Sequence, residues 1–257
     1  PAWMAAGFPA PGLVSAALEA SAPFMAADAF SRAVSPYAYG LFYQNPLARI
    51  VRQIHYDTVC GNTGPKFFVG ATNVHNGKIR VFTGDEISTD ALLASACLPT
   101  LFQAVEIDGA HYWDGGYTGN PALFPLFEAD LPEDIVVVNI NPLERAEVPK
   151  SAQDIQNRIN EISFNSSLLR ELRAIHFVQR LLADGSLSPG TMKRVHLHMI
   201  ADDALMGDLS VASKMVPTPY LLHKLFDAGH SAAETFLSEH RAALNAHSSV
   251  DMAAMFN

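Results

Sequence analysis

Charge is scarce in this chain of 257 residues. Only 17% are Asp, Glu, Lys or Arg, and the balance is −9 at neutral pH. No basic stripe runs through it, which argues against nucleic acid as a partner. The polybasic cluster that draws proteins to anionic bilayers is missing too. Cysteine is nearly absent: Cys60 and Cys97 are the only two, and they form no Cys-x-x-Cys pair. That excludes a disulfide framework and gives no zinc or redox motif. A cytoplasmic location is expected, with peripheral contact to a membrane as the open alternative. No run of 18 apolar residues suggests a membrane span. Also missing is any Gly-x-Ser-x-Gly. Ser15 follows Gly12-Leu13-Val14, Ser186 follows Gly185 directly, and Ser188 precedes Pro189-Gly190, so none has an elbow's spacing.

What the chain does have is concentrated around Asp114. In Tyr112-Trp113-Asp114-Gly115-Gly116-Tyr117-Thr118-Gly119-Asn120-Pro121-Ala122, a short apolar run delivers one carboxylate to a double-glycine turn. The glycines permit a sharp turn, with positive φ where needed, and close approach of another element. Asn120 has the chemistry of an N-cap and Pro121 that of a first helical residue, so a helix is expected from there. Upstream lies a small-residue block, Ala94-Ser95-Ala96-Cys97-Leu98-Pro99-Thr100-Leu101-Phe102.

These ordered pieces, Ala94-Ser95-x-x-x-Pro99-x-x-Phe102, then Asp114-Gly115-Gly116, then Asn120-x-Ala122, resemble the patatin-like phospholipase family, most sharply over residues 66–142. The resemblance implies a serine acyl hydrolase with a Ser–Asp dyad and no catalytic histidine. It implies an α/β three-layer fold around a central, mainly parallel sheet, with a helical C-terminal extension. Asp114 would be the base, Gly115 and Gly116 the turn that aims it, and Asn120 and Ser95 its support. The nucleophile, its strand-to-helix elbow and the glycine-rich oxyanion loop have no counterpart here. They are expected on an upstream segment of the same gene product, which becomes the required partner beside a lipid or ester substrate. A serine needs a base to become nucleophilic, and oxyanion donors supply the largest electrostatic stabilisation. The parent protein is therefore expected to be an enzyme and this chain to be inactive alone. Two other readings stand beside it: a nucleophile-less lipid-binding or interaction module, and an esterase or polyester depolymerase with a non-phospholipid substrate. No metal or organic cofactor is implied.

Local patterns order the rest of the chain. Residues 1–45 carry only Glu19, Asp28 and Arg32 as charges, with aromatics among Pro and Gly, and read as an apolar cap or acyl-site segment. Residues 46–142 read as the C-terminal part of the catalytic domain and 143–257 as a mostly helical region. Asn45-Pro46 starts a helix to about His55. Strands are expected over 66–73 and 78–82, joined through Asn76-Gly77, and over 104–108 and 111–114, joined through Asp108-Gly109. Thr89 caps a helix that stops before Pro99. Residues 135–141 form a nearly continuous apolar strand, the composition of a sheet covered on both faces. Ser151 opens a long helix with a capping-box-like Asp154, and Asp184-Gly185 ends it. A strand follows over 193–200 and a closing helix over 217–245. His196 and His198 share one face of that strand, and read as solvent-facing rather than metal-binding. His111, three residues before Asp114, is the only hint of a Ser–His–Asp arrangement, and the resemblance argues against it.

Overall fold

The structure, a computed structural model, describes residues 9–56, 64–188, 190–209, 213 and 216–256, without the side chains of 31, 32, 41, 42 and 153. Trp3, Phe8 and Cys60 lie outside the described residues, as does the Phe42 side chain. The elements are α1 (Pro11–Glu19), α2 (Ala22–Ala33), α3 (Ala48–Val51), β1 (Phe68–Asn73), β2 (Ile79–Thr83) and α4 (Thr89–Ser95). Then come β3 (Val105–Ile107), β4 (Ala110–Asp114), β5 (Asp134–Asn139), α5 (Ala152–Ala183), β6 (His196–Ala201), α6 (Asp203–Asp208), α7 (Pro219–His240) and α8 (Met252–Phe256). The protein is α/β. It divides into two compact units, one of Ala29–Glu128 with Ser166–Glu171, the other of Pro1–Asp28, Ala129–Asn165 and Leu172–Asn257.

The first unit holds a four-stranded sheet in the order β2-β1-β4-β3. Every pairing in it is antiparallel. This corrects the expected mainly parallel arrangement for this sheet, and for the β1–β2 and β3–β4 pairs the cause is local. Asn76-Gly77 and Asp108-Gly109 are hairpin connections, far too short for a parallel crossover. Asp108 and Gly109 both take positive φ, 54° and 75°, as a two-residue primed turn requires. Val69, Ala71, Phe82, Ile87, Ala91, Ala94 and Tyr112 form the core between this sheet and α4. The cap of α4 is Ser88, whose hydroxyl accepts the Ala91 N–H, one residue earlier than Thr89. The helix expected over 46–55 is shortened to Ala48–Val51, and Asn45 Oδ1 accepts the Leu47 N–H at its entry.

The second unit carries a parallel pair, β5 with β6, in register from Asp134↔His196 to Asn139↔Ala201. The long helix α5 lies between them in sequence, the length a parallel crossover needs. Ser151 Oγ accepts the Asp154 N–H and contacts its carboxylate at 2.6 Å, as the capping pattern implies. Gly185 ends the helix at φ +78°. Arg145 grips Glu161 through two bonds of 2.8 and 2.6 Å and donates a third to the Gly207 carbonyl. Ile135, Val137 and Asn139 of β5 are buried, whereas Val136, Val138 and Ile140 are exposed. One face of this apolar strand is thus uncovered, against the two-sided burial its composition suggests.

Candidate active site

Asp114 ends β4 within the first unit. Residues 110, 112 and 114 share the face that meets α4, because strand side chains alternate. Tyr112 on that face is in the core. His111 points to the other side, where its Nδ1 lies 3.3 Å from His75 Nε2 and its Nε2 3.9 Å from Glu106. No Ser–His–Asp arrangement forms through His111.

The aspartate is fixed by its backbone and its side chain. Its N–H donates to the Cys97 carbonyl at 2.9 Å. Its carbonyl accepts from Thr72 Oγ1 at 2.8 Å, and Thr72 Oγ1 also lies 2.8 Å from Thr118 Oγ1. Its Oδ1 accepts the Gly116 N–H at 2.7 Å. The turn after it, Gly115–Tyr117, is a short 3₁₀ helix. The double glycine serves a different need from the one expected. Neither glycine has positive φ. Gly115 is required for close approach, since a Cβ there would overlap the Gly70 carbonyl oxygen on β1. Gly116 supplies the N–H to the carboxylate. Gly119 faces a softer limit, because a Cβ there would meet Ile79 Cδ1, the end of a side chain that can shift.

Asn120 does not cap a helix. No α-helix begins there; a 3₁₀ turn spans Phe124–Phe127, and the Asn120–Pro121 peptide is cis. Pro125 gives the physical reason. It has no N–H to return to the Pro121 carbonyl. Instead the Asn120 N–H donates to Ser167 Oγ at 2.8 Å, on the stretch of α5 that belongs to this unit.

A cavity of about 320 Å³ opens beside the aspartate. Ser95, Asp114, Gly115, Gly116 and Asn120 all line it, so the structure brings together every site residue singled out from the sequence. Phe68, Val81 and Pro125 contribute apolar wall. Ser95 arrives at the C-terminal end of α4. The lining residues fall within 68–125.

The electrostatics follow from burial. Burial pushes the Asp114 carboxyl above its ordinary range, and the Gly116 N–H only partly offsets this. Burial and the neighbouring Asp114 push the Cys97 thiol up to about 11, and its Sγ lies 3.1 Å from the Gln103 carbonyl. Cys97 is therefore a neutral packing residue at neutral pH. Tyr117 is also raised, by burial first and then by Asp114 and Cys97. A carboxylate in such surroundings is more basic than one in water.

Three residues that hold the site were missed: Thr72, Thr118 and Ser167. The only signal was Thr72, a hydroxyl in an otherwise apolar strand, Phe68-Val69-Gly70-Ala71-Thr72.

The histidine pair lies in the other unit and corrects a further expectation. His196 and His198 are buried, not solvent-facing. His198 Nε2 lies 2.8 Å from Asp134 Oδ1, and its Nδ1 lies 3.0 Å from Ser249 Oγ. Asp134 also accepts the Asn245 N–H. Among the described residues, no group of three or more His, Cys, Asp or Glu side chains is arranged to hold a metal ion.

Residues 12–129 match the sequence model of the patatin-like phospholipase family. No curated protein matches the chain. The match starts well before the region of sharpest motif resemblance, includes both motif blocks and the whole lining of the cavity, and stops short of β5.

Proposed function

We propose that this chain, which carries a patatin-like phospholipase domain over residues 12–129, supplies the aspartate half of a Ser–Asp lipid acyl hydrolase. The family is one of lipid acyl hydrolases; the dyad and the residue roles are our reading. One observation carries it. Five residues scattered from 95 to 120 line one cavity, and the carboxylate among them is half-buried, raised in basicity and anchored at its N–H, carbonyl and Oδ1. A general base works best when held rigidly and tuned upward from water's carboxylate range.

In this mechanism the serine hydroxyl comes from an upstream segment of the same gene product. Asp114 takes its proton as Oγ bonds to the ester carbonyl carbon, and that proton passes to the departing alcohol. Water then attacks the acyl-serine, gives its proton to Asp114, and the serine recovers a proton as the carboxylic acid leaves. Gly116 aims the carboxylate through its N–H. Gly115 lets the turn press on β1. Asn120 and Ser95 shape the wall. The uncovered face of β5, Val136, Val138 and Ile140, supports the same partner, since upstream strands and helices of an α/β sheet would cover it. Ile155, Ile159 and Ile162 form a similar exposed stripe on α5.

The test uses the complete gene product and a chromogenic short-chain ester. Asp114→Asn lowers kcat/KM by about 10²–10⁴-fold, the usual worth of a general base. An Asn variant with near wild-type turnover refutes the role. Turnover by residues 1–257 alone refutes the need for an upstream nucleophile.

A further inference from the structure

Gly119, Asn120, Pro121, Ala122 and Pro125 line the cavity beside Asp114. From Gly119 to Leu123 the chain is neither helix nor strand. Pro121 and Pro125 have no N–H to give to a backbone partner. Two of the other N–H groups in this stretch are taken by one helix. Ser167 Oγ accepts from Asn120 at 2.8 Å, and the Glu171 carboxylate accepts from Leu123. Ser167 and Glu171 stand four residues apart on α5, so they share a face of it. Both belong to the same compact unit as the cavity. Ser167 and Leu123 are buried, where a polar group left without its partner is costly. Burial pushes the Glu171 carboxyl above its ordinary range, and the Leu123 N–H only partly offsets this. This half-buried carboxyl has no part in the proton transfer assigned to Asp114, so its bond to the loop is the role open to it.

We infer that Glu171, together with Ser167, is a positioning residue: the pair clamps residues 119–125 as a wall of the cavity and so sets how tightly the ester is held. The inference rests on the acyl-hydrolase reading of that cavity. It deepens the reading by separating the residues that aim the base from those that seat the substrate. Asp114 is aimed by Cys97, Thr72 and Gly116, through its N–H, its carbonyl and its Oδ1. None of these three bonds involves the clamped stretch or α5. The clamp therefore acts on substrate binding and leaves proton transfer intact. Bonds at Asn120 and Leu123 fix the backbone on both sides of Pro121 and Ala122, which contribute lining. A contact surface that is already ordered binds better, because the ligand need not supply its ordering. Neither bond needs a negative charge, since any well-placed oxygen can accept an N–H. Loss of such a wall raises KM at unchanged kcat, whereas loss of an interaction made only in the transition state lowers kcat.

The experiment uses the complete gene product. Glu171→Met keeps the side-chain length and removes the acceptor, whereas Glu171→Gln keeps an acceptor oxygen without the charge. Ser167→Ala is a second, independent variant at the other bond, and circular dichroism checks that each is folded. Hydrogen exchange followed by mass spectrometry reads the loop, and steady-state kinetics with a chromogenic octanoyl ester read the site. In Glu171→Met and Ser167→Ala, exchange over residues 119–125 speeds up about tenfold or more, and that over 112–116 stays as in wild type. KM rises about fivefold or more while kcat stays within about twofold. Glu171→Gln returns both readouts toward wild type. A lower kcat at unchanged KM overturns the inference in favour of a merely structural role. Unchanged exchange over 119–125 overturns it, as does faster exchange that spreads to 112–116. A Glu171→Gln enzyme as impaired as Glu171→Met overturns it by pointing to charge. A wild-type enzyme without turnover refutes the acyl-hydrolase reading instead, and exchange then decides the clamp by itself.

Discussion

Gly115→Ala is the substitution whose cost the structure defines best. The new Cβ would overlap the Gly70 carbonyl oxygen, fall 2.7 Å from its carbonyl carbon, and sit 3.3 Å from the Ala71 nitrogen. All three atoms are backbone, and β1 is hydrogen-bonded to β2 on one side and β4 on the other. No side chain can rotate to make room, so the strand or the Asp114 turn must move. Overpacking of this kind costs about 1–3 kcal/mol, and a clash with clamped backbone belongs at about 3 kcal/mol. For a chain of this size each kcal/mol lowers Tm by about 2–4 °C, giving a fall of about 6–12 °C. Gly229→Ala is the internal control. Gly229 lies inside α7 with no neighbouring atom within 4 Å of a Cβ and without positive φ. The same added methyl should stabilise there by about 0.5–1 kcal/mol, through lower unfolded-chain entropy and better helix propensity. Thermal melts followed by circular dichroism read both. Equal shifts for the two variants, or a Gly115→Ala chain within about 1 °C of wild type, would refute the close-approach argument.

Two further predictions concern pH. Asp114 has a folded pKa raised by burial, so the stability linked to it is present below its unfolded pKa of about 3.9 and is lost as pH rises through the folded value. Asp114→Asn should therefore gain stability over wild type between pH 4 and pH 7, read as diverging urea midpoints, and parallel midpoints would sink the burial argument. Asp134 behaves oppositely: burial alone would raise it, but the Asn245 N–H and His198 hold it below the usual carboxylate range. Its contribution is present above the unfolded pKa of about 3.9 and fades as pH falls through the lowered folded value. Asp134→Asn should then cost stability at pH 6 and progressively less below pH 4, whereas a penalty independent of pH would remove the charge-based account.

The parts legible in the sequence were those decided within a few residues. Asp108-Gly109 makes its hairpin because two successive positive φ angles are cheap for those residues. Ser151 with Asp154 starts α5, and Gly185 ends it, by bonds that close within one turn. The site set, Ser95, Asp114, Gly115, Gly116 and Asn120, came from ordered spacing and a family resemblance, and those residues do share a cavity. Asn120-Pro121 failed as a helix start because Pro125, four residues after Pro121, has no N–H to bond the Pro121 carbonyl.

Thus the amino-acid order alone determined the hairpin turns, the Ser151 cap, and most strand and helix positions, since these depend on backbone sterics and on bonds reaching one to four residues. Only the tertiary structure decided that the two hairpins join through an antiparallel β1–β4 pairing, and that Gly115 is needed for its contact with Gly70 rather than for its φ. It alone buried His196 and His198 beside Asp134, 62 and 64 positions away in the chain. Such outcomes depend on which distant surfaces meet, and hydrophobic burial is non-directional: composition says how much apolar surface must be covered, and packing chooses by what.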